Sequence, residues 1–202
     1  NYDPTTENST AYTLSFAGYS DWGAMPGHGA FEFAGPDLQN NVSFADRYTS
    51  TTSAEVRRVR LPVYQADDLS GGGTVTMNLH DVNTTTPTEP GPILTSEVIN
   101  IADMNAGAYN TFDFSTPQTV LGDFWISFDF NYLPTQDTVL FGMVNFNDRA
   151  NTTGNNTMYI KSEDGTWRPT PDLYTNESSL YMDVLLSNGD SPVLTITNTG
   201  TD

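Results

Sequence analysis

Apolar residues recur along this chain at every second position. In 123–132, DFWISFDFNY, Phe124, Ile126, Phe128, Phe130 and Tyr132 alternate with Trp125, Ser127, Asp129 and Asn131. A period of two is the mark of a strand with one dry and one wet face, because successive side chains point to opposite sides. TVTMNLHD repeats it, with Val75, Met77 and Leu79 on one side and Thr76, Asn78 and His80 on the other. SLYMDVLL does so again through Leu180, Met182, Val184 and Leu186. Further strands are predicted over 11–16, 29–34, 42–49, 55–64, 109–114, 138–146, 157–161 and 193–198. The segment 138–146 is apolar on both faces, as a central strand is.

Turn chemistry separates these segments: Pro26-Gly27, the triple glycine Gly71–Gly73, Pro90-Gly91-Pro92, the polar run 147–156, Glu163-Asp164-Gly165 and Asn188-Gly189-Asp190. No segment carries the 3.6 period of an amphipathic helix, and 96–104 holds a short turn at most. About ten short strands spaced by turns predict an all-β fold: a two-sheet antiparallel β-sandwich, jelly-roll-like. The expected core includes Phe16, Phe31, Val59, Leu61, Phe112, Phe114, Val139 and Phe141 beside the apolar residues of the three clearest strands. One domain is expected over 11–196, with a flexible lead-in at 1–10 and a linker at 197–202.

Charge narrows the function. Twenty-five acidic residues face seven basic ones for a net charge of −18, and Lys161 is the single lysine. Such a surface repels phosphate backbones and anionic headgroups, so nucleic acid and membrane are poor partners. No run of apolar residues is long enough for membrane insertion. With no cysteine, there is no disulfide, thiolate site or thiol nucleophile. The chain begins at Asn1 rather than Met, as a processed protein or an excised domain would. Six Asn-x-Ser/Thr sequons, at Asn8, Asn41, Asn83, Asn151, Asn155 and Asn176, agree with an extracellular setting.

Candidate chemistry is sparse. The chain lacks a Gly-x-Ser-x-Gly elbow and a His-Glu-x-x-His motif, and only His28 and His80 occur. A Ser–His–Asp set would have to be built on His80, which neighbours Asp81. Strand carboxylates (Glu32, Glu55, Asp113, Asp129) show no glycosidase pattern, so no catalysis is expected. Calcium takes carboxylate, amide and carbonyl oxygens. Asp81 with Asn83, and Asn147 with Asp148, place such groups at strand ends and are the candidate ligands of a structural calcium. Asp67-Asp68 and Asp103 with Asn105 are weaker groupings. Sugar-binding modules use open aromatic rings, which makes Trp22, Trp125 and Trp167 the candidate ligand-binding residues. Trp125 shares its face with Ser127, Asp129 and Asn131, so it is either exposed or covered by a loop. Arg57, Arg58 and Arg60 on one strand call for carboxylates on the neighbouring strands.

The succession GHGAFEFAG, VRRVRLPVYQA, the strand–loop–Pro-Gly unit 74–104, the unit 109–143 and the Gly-Thr-Trp turn before SLYMDVLL resembles an accessory β-sandwich module of large secreted Bacteroidota surface proteins, the kind exported by the type IX system. The resemblance runs from about 17 to 186. It departs where His80 stands for the usual tryptophan and where Phe-x-Val-Gly-Phe reads Phe124-Trp-Ile-Ser-Phe128. It implies a non-catalytic passenger domain and carries over no ligand-binding residue. The reading is therefore a secreted adhesion or carbohydrate-binding domain with a glycan or cell-surface partner. The alternatives are a self-associating subunit of a surface layer or fibre, and a polysaccharide-active enzyme.

Overall fold

A computed structural model of the chain describes residues 11–14, 32–34, 41–131, 136–145, 158–174 and 178–187. The expected lead-in and linker, the predicted strand 193–198, and Phe16, Phe31, Trp22, His28, Asn147 and Asp148 lie outside these residues. The fold is all-β. In chain order the strands are β1 (Ala11–Leu14), β2 (Glu32–Ala34), β3 (Asn41–Asp68), β4 (Thr74–Val82), β5 (Pro90–Asn100), β6 (Ala108–Asn131), β7 (Asp137–Asn145), β8 (Met158–Ser162), β9 (Trp167–Pro169), β10 (Ser178–Leu180) and β11 (Asp183–Ser187). One turn of 3-10 helix at Ile101–Asp103 and a single short helix, α1 (Thr170–Tyr174), interrupt them. No helix among the described residues is long and apolar enough to cross a membrane.

Every described pairing is antiparallel, and the pairings link all eleven strands into one hydrogen-bonded network. Its main path is β1-β11-β3-β6-β4-β5, with β7 joining β2, β3 and β10, and β8 joining β3 and β9.

The two segments predicted within β3, and likewise the two within β6, are fused into single long strands. The cause is that the intervening residues bulge instead of turning. Between the paired positions Ser50↔Gly122 and Ala54↔Val120, and again between Val56↔Gln118 and Arg58↔Asp113, the register shifts. Pro117 sits inside the second bulge, where its missing N–H leaves no ladder bond unmade. Gly122 takes a φ of 82° at the first, a conformation that other residues adopt only with strain. Both strands thereby bend and run on into a second half of the network. Conversely, SLYMDVLL is split into β10 and β11.

The dry face matches the alternation. Val75, Met77 and Leu79 stand opposite Phe130, Phe128 and Ile126, and all are buried. In the other half, Val59 is flanked by Phe112 and Val184. Phe128 joins the halves: its ring centroid lies 4.7 Å from that of Phe141 and 6.4 Å from that of Phe112. On the outer side of β3, Arg58 pairs with Asp113 at 2.5 Å, Arg60 with Asp183 at 2.5 Å, and Arg57 with Glu55. The arginine run thus takes carboxylate partners from its own and neighbouring strands.

Gly91 opens β5 in a place no side chain could occupy. A Cβ there would fall 2.5 Å from the Val82 carbonyl oxygen and 2.6 Å from the Asn83 nitrogen. Gly91→Ala is therefore expected to lower stability by about 1–3 kcal/mol. Gly72→Ala, with nothing within 4 Å of the added atom, should change it by less than about 0.5 kcal/mol. Urea midpoints of the two variants check this, and equal midpoints would contradict the close approach at Gly91.

Candidate functional site

The polar face of β4 and β6 departs from the simple dry-and-wet pattern. Its sidedness is as predicted, but its middle is covered: Asn78, His80, Trp125, Ser127 and Ser43 are all buried. The reason is curvature. Along the pairing path β4–β6–β3–β8–β9 the first and last strands are four steps apart, about 19 Å in a flat sheet. Yet the rings of His80 on β4 and Trp167 on β9 are 6.2 Å apart and perpendicular. The polar face is therefore strongly concave, and the β8–β9 hairpin curls over it.

Covering polar groups is tolerable only when they bond one another. Here they form a directed chain. The Ser96 hydroxyl donates to Asn78 Oδ1 at 2.7 Å, and Asn78 Nδ2 donates to Asp129 at 3.0 Å and to the Ser127 hydroxyl oxygen at 3.2 Å. Ser127 lies 2.8 Å from His80 Nε2, and His80 Nδ1 lies 2.9 Å from the Gly91 carbonyl oxygen. A carbonyl only accepts, so Nδ1 carries the proton; neutral Nε2 then accepts from Ser127. Burial holds the imidazole below its ordinary value, and Lys161 adds to this, while the Gly91 carbonyl and Asp129 pull the other way. His80 and serine do meet, as the Ser–His reading required. The third member, however, is a backbone carbonyl rather than Asp81, and both Ser127 and His80 are enclosed.

The remaining predicted residues scatter. Trp125 is not an open platform: it is fully buried, with Tyr159 edge-on at 4.9 Å and the Arg47 guanidinium 5.9 Å from its ring centre. Trp167 stays half-buried at the rim, with the Lys161 ammonium 5.7 Å from its ring centre. Thr76, Asp129 and Lys161 lie in register with it across the face, through Ser43. Asn131 bonds Thr76 at 2.6 Å on the same side.

Asp81 accepts its neighbour Val82 N–H, and Asn83 accepts the N–H groups of Thr85 and Thr86. These are turns closed by a side-chain oxygen. Asp81 also borders an open cavity of about 230 Å³ shared with Leu94, Leu121 and Asp123. The other acidic loops likewise bind backbone or amide donors: Asp68 takes Gly72 and Gly73 N–H, and Asp103 takes the Asn100 amide. Among the described residues no three His, Asp or Glu side chains gather as metal ligands do.

No protein-family profile matches the chain, and no curated protein does. Solved structures do match its fold. The clostridial cysteine protease Cwp84 after propeptide cleavage superposes with a TM-score of 0.59 at 10% identity, covering 90% of this chain and 41% of its own. A structure of the cysteine protease and lectin-like domains of Cwp84, a surface layer associated protein of Clostridium difficile, gives 0.51 at 13% identity over 74% of this chain and 32% of its own. The chain spans less than half the length of either. At these identities the likeness is one of fold alone.

The His80 chain has a pH signature. The folded protein binds fewer protons than the unfolded chain between the lowered pKa and the ordinary 6.5. Stability contributed by neutral His80 is therefore full above that ordinary value and falls as pH drops toward the folded one. The urea midpoint should decline from about pH 7 to about pH 5, and His80→Gln should flatten that decline. A slope that persists unchanged in the variant would exclude His80 as its source. Chelation offers a second check on Asn83, whose side-chain oxygen already closes a turn: Asn83→Ala should leave any effect of excess EDTA on the melting temperature unchanged, and an EDTA shift of several degrees that the variant abolishes would make Asn83 an ion ligand.

Proposed function

We propose that this chain is a non-catalytic domain of a secreted bacterial surface protein that binds carbohydrate on the concave face beside Trp167. The observation that carries the reading is the half-buried Trp167 ring at the rim of a polar face, with Lys161, Asp129 and Thr76 in register beside it and Asn131 bonded to Thr76 on the same side. A flat aromatic surface next to hydrogen-bonding groups is the chemistry that holds a sugar ring. The fold likeness to a chain that contains a lectin-like domain and is associated with a surface layer supports the same assignment, as does the resemblance to secreted Bacteroidota modules.

Catalysis fits less well. The Ser127 hydroxyl is fully buried and bonded on both sides, so no substrate carbonyl can approach it without unpicking the sheet. Self-assembly is favoured by one specific observation. Among the described residues β5 pairs only with β4, and its Ile93 and Val98 are 53% and 62% exposed. Unprotected edges of this kind invite pairing with another chain. The large negative charge opposes it at low salt.

Affinity electrophoresis through a panel of neutral and acidic polysaccharides tests the reading. Retardation by at least one polymer is expected, and Trp167→Ala should weaken it by roughly tenfold, given the 0.5–1.5 kcal/mol of an aromatic contact plus the area it buries. Trp22→Ala run beside it shows whether the second ring shares the task. Full retention of binding in Trp167→Ala would move the site away from this face.

A further inference from the structure

The seven cations of this acidic chain are not used alike. Among the described residues, Arg57, Arg58, Arg60 and Arg168 each pair with a carboxylate. Arg47 and Lys161 make no ion pair; each instead lies over a tryptophan, Trp125 and Trp167 respectively. In a chain with 25 carboxylates against seven cations, two cations that escape pairing are an anomaly. Both lie on the concave polar face.

A second anomaly lies beside each of them. The Trp125 indole nitrogen and the Ser43 hydroxyl are buried and form no hydrogen bond. Trp125 is the cross-strand neighbour of Arg47, and Ser43 is the cross-strand neighbour of Lys161. A buried donor left unbonded costs free energy, so its persistence calls for an acceptor. Each end of the face thus carries a half-buried cation beside an enclosed donor that is left unbonded. Of the nearby carboxylates, Asp46 accepts the Arg47 backbone N–H, Asp123 the Thr49 hydroxyl and Asp129 the Asn78 amide, and Asp164 pairs with Arg168; none makes an ion pair with Arg47 or Lys161.

We infer that the concave face selects polyanionic glycans, with Arg47 beside Trp125 and Lys161 beside Ser43 each receiving a carboxylate or sulfate of the polymer. This rests on the carbohydrate-binding reading and gives it a ligand class. Ser43 and Arg47 are four residues apart on β3, about 13 Å along a strand. That spacing suits a chain bearing anions at intervals better than a single small ion. The whole-molecule charge repels polyanions, so attraction has to be short-ranged and local to these two residues. Non-specific ion exchange, which governs polyanion binding by basic proteins, is thereby ruled out as the source of any signal.

Two matched pairs of polymers test it on the full chain by affinity electrophoresis or calorimetry: dextran sulfate against dextran, and polygalacturonate against its methyl ester. Tighter binding of the charged member in either pair is expected, and which pair responds tells sulfate from carboxylate. Arg47→Gln and Lys161→Gln should each weaken that binding by roughly tenfold, as loss of a charge-assisted hydrogen bond does. Arg57→Gln, a charge loss away from this face, should not. Melting temperatures close to that of the parent protein certify that the variants fold. Equal binding of charged and uncharged partners, or unchanged polyanion affinity in Arg47→Gln and Lys161→Gln, overturns the inference and leaves the carbohydrate reading standing. Absence of binding across these polymers and the neutral panel overturns both.

Discussion

A polar sheet face can be covered only if its donors and acceptors satisfy one another, and that constraint organises this molecule. On the concave side of β4 and β6 the order of bonds runs one way, from Ser96 through Asn78 and Ser127 to His80 and the Gly91 carbonyl. Each member fixes the proton of the next. The imidazole must be neutral and protonated on Nδ1 for the chain to close, and burial keeps it so. Gly91 in turn must lack a side chain for β5 to come close enough to offer its carbonyl. A polar network of this kind gives a defined arrangement rather than extra stability, since each bond replaces one to water.

One strand builds both the core and the concave face. β6 presents Phe124, Ile126, Phe128 and Phe130 to the core and Trp125, Ser127 and Asp129 to the concave face. Its core side is anchored by Phe128 between Phe112 and Phe141. The polar side is therefore held on a scaffold that cannot slip by one residue without exchanging phenylalanines for serine and aspartate. That rigidity is what a recognition surface needs.

Charge is distributed with the same economy. Arginines on the outer side of β3 meet carboxylates on β3, β6 and β11, and the exposed pairs among them contribute little each. On the concave face the cations sit over indole rings instead, an arrangement worth about 0.5–1 kcal/mol at exposed sites. The ring holds the cation in place without cancelling its charge. This is the physical difference between a cation that is neutralised and one that is kept available.

Much of the fold was legible from residue order. The alternations through 74–81, 123–131 and 180–186 named the core side of β4, β6, β10 and β11, because side-chain direction along a strand is a local property. The arginine run also named its own kind of partner. Three features were not legible. The bulges near Ser50 and Pro117 read as breaks, because a bulge and a turn draw on the same residues and only the partner strand decides between them. The edge strand β5 escaped because exposure on both sides erases the period of two. Most of all, His80 was assigned to the wet side and is enclosed there, and Trp125, left as either exposed or covered, is covered. Sequence determines which face a residue occupies; what covers that face depends on how far the sheet curls, and curvature is set by contacts between segments more than a hundred residues apart in some cases, such as Tyr48 with Met182.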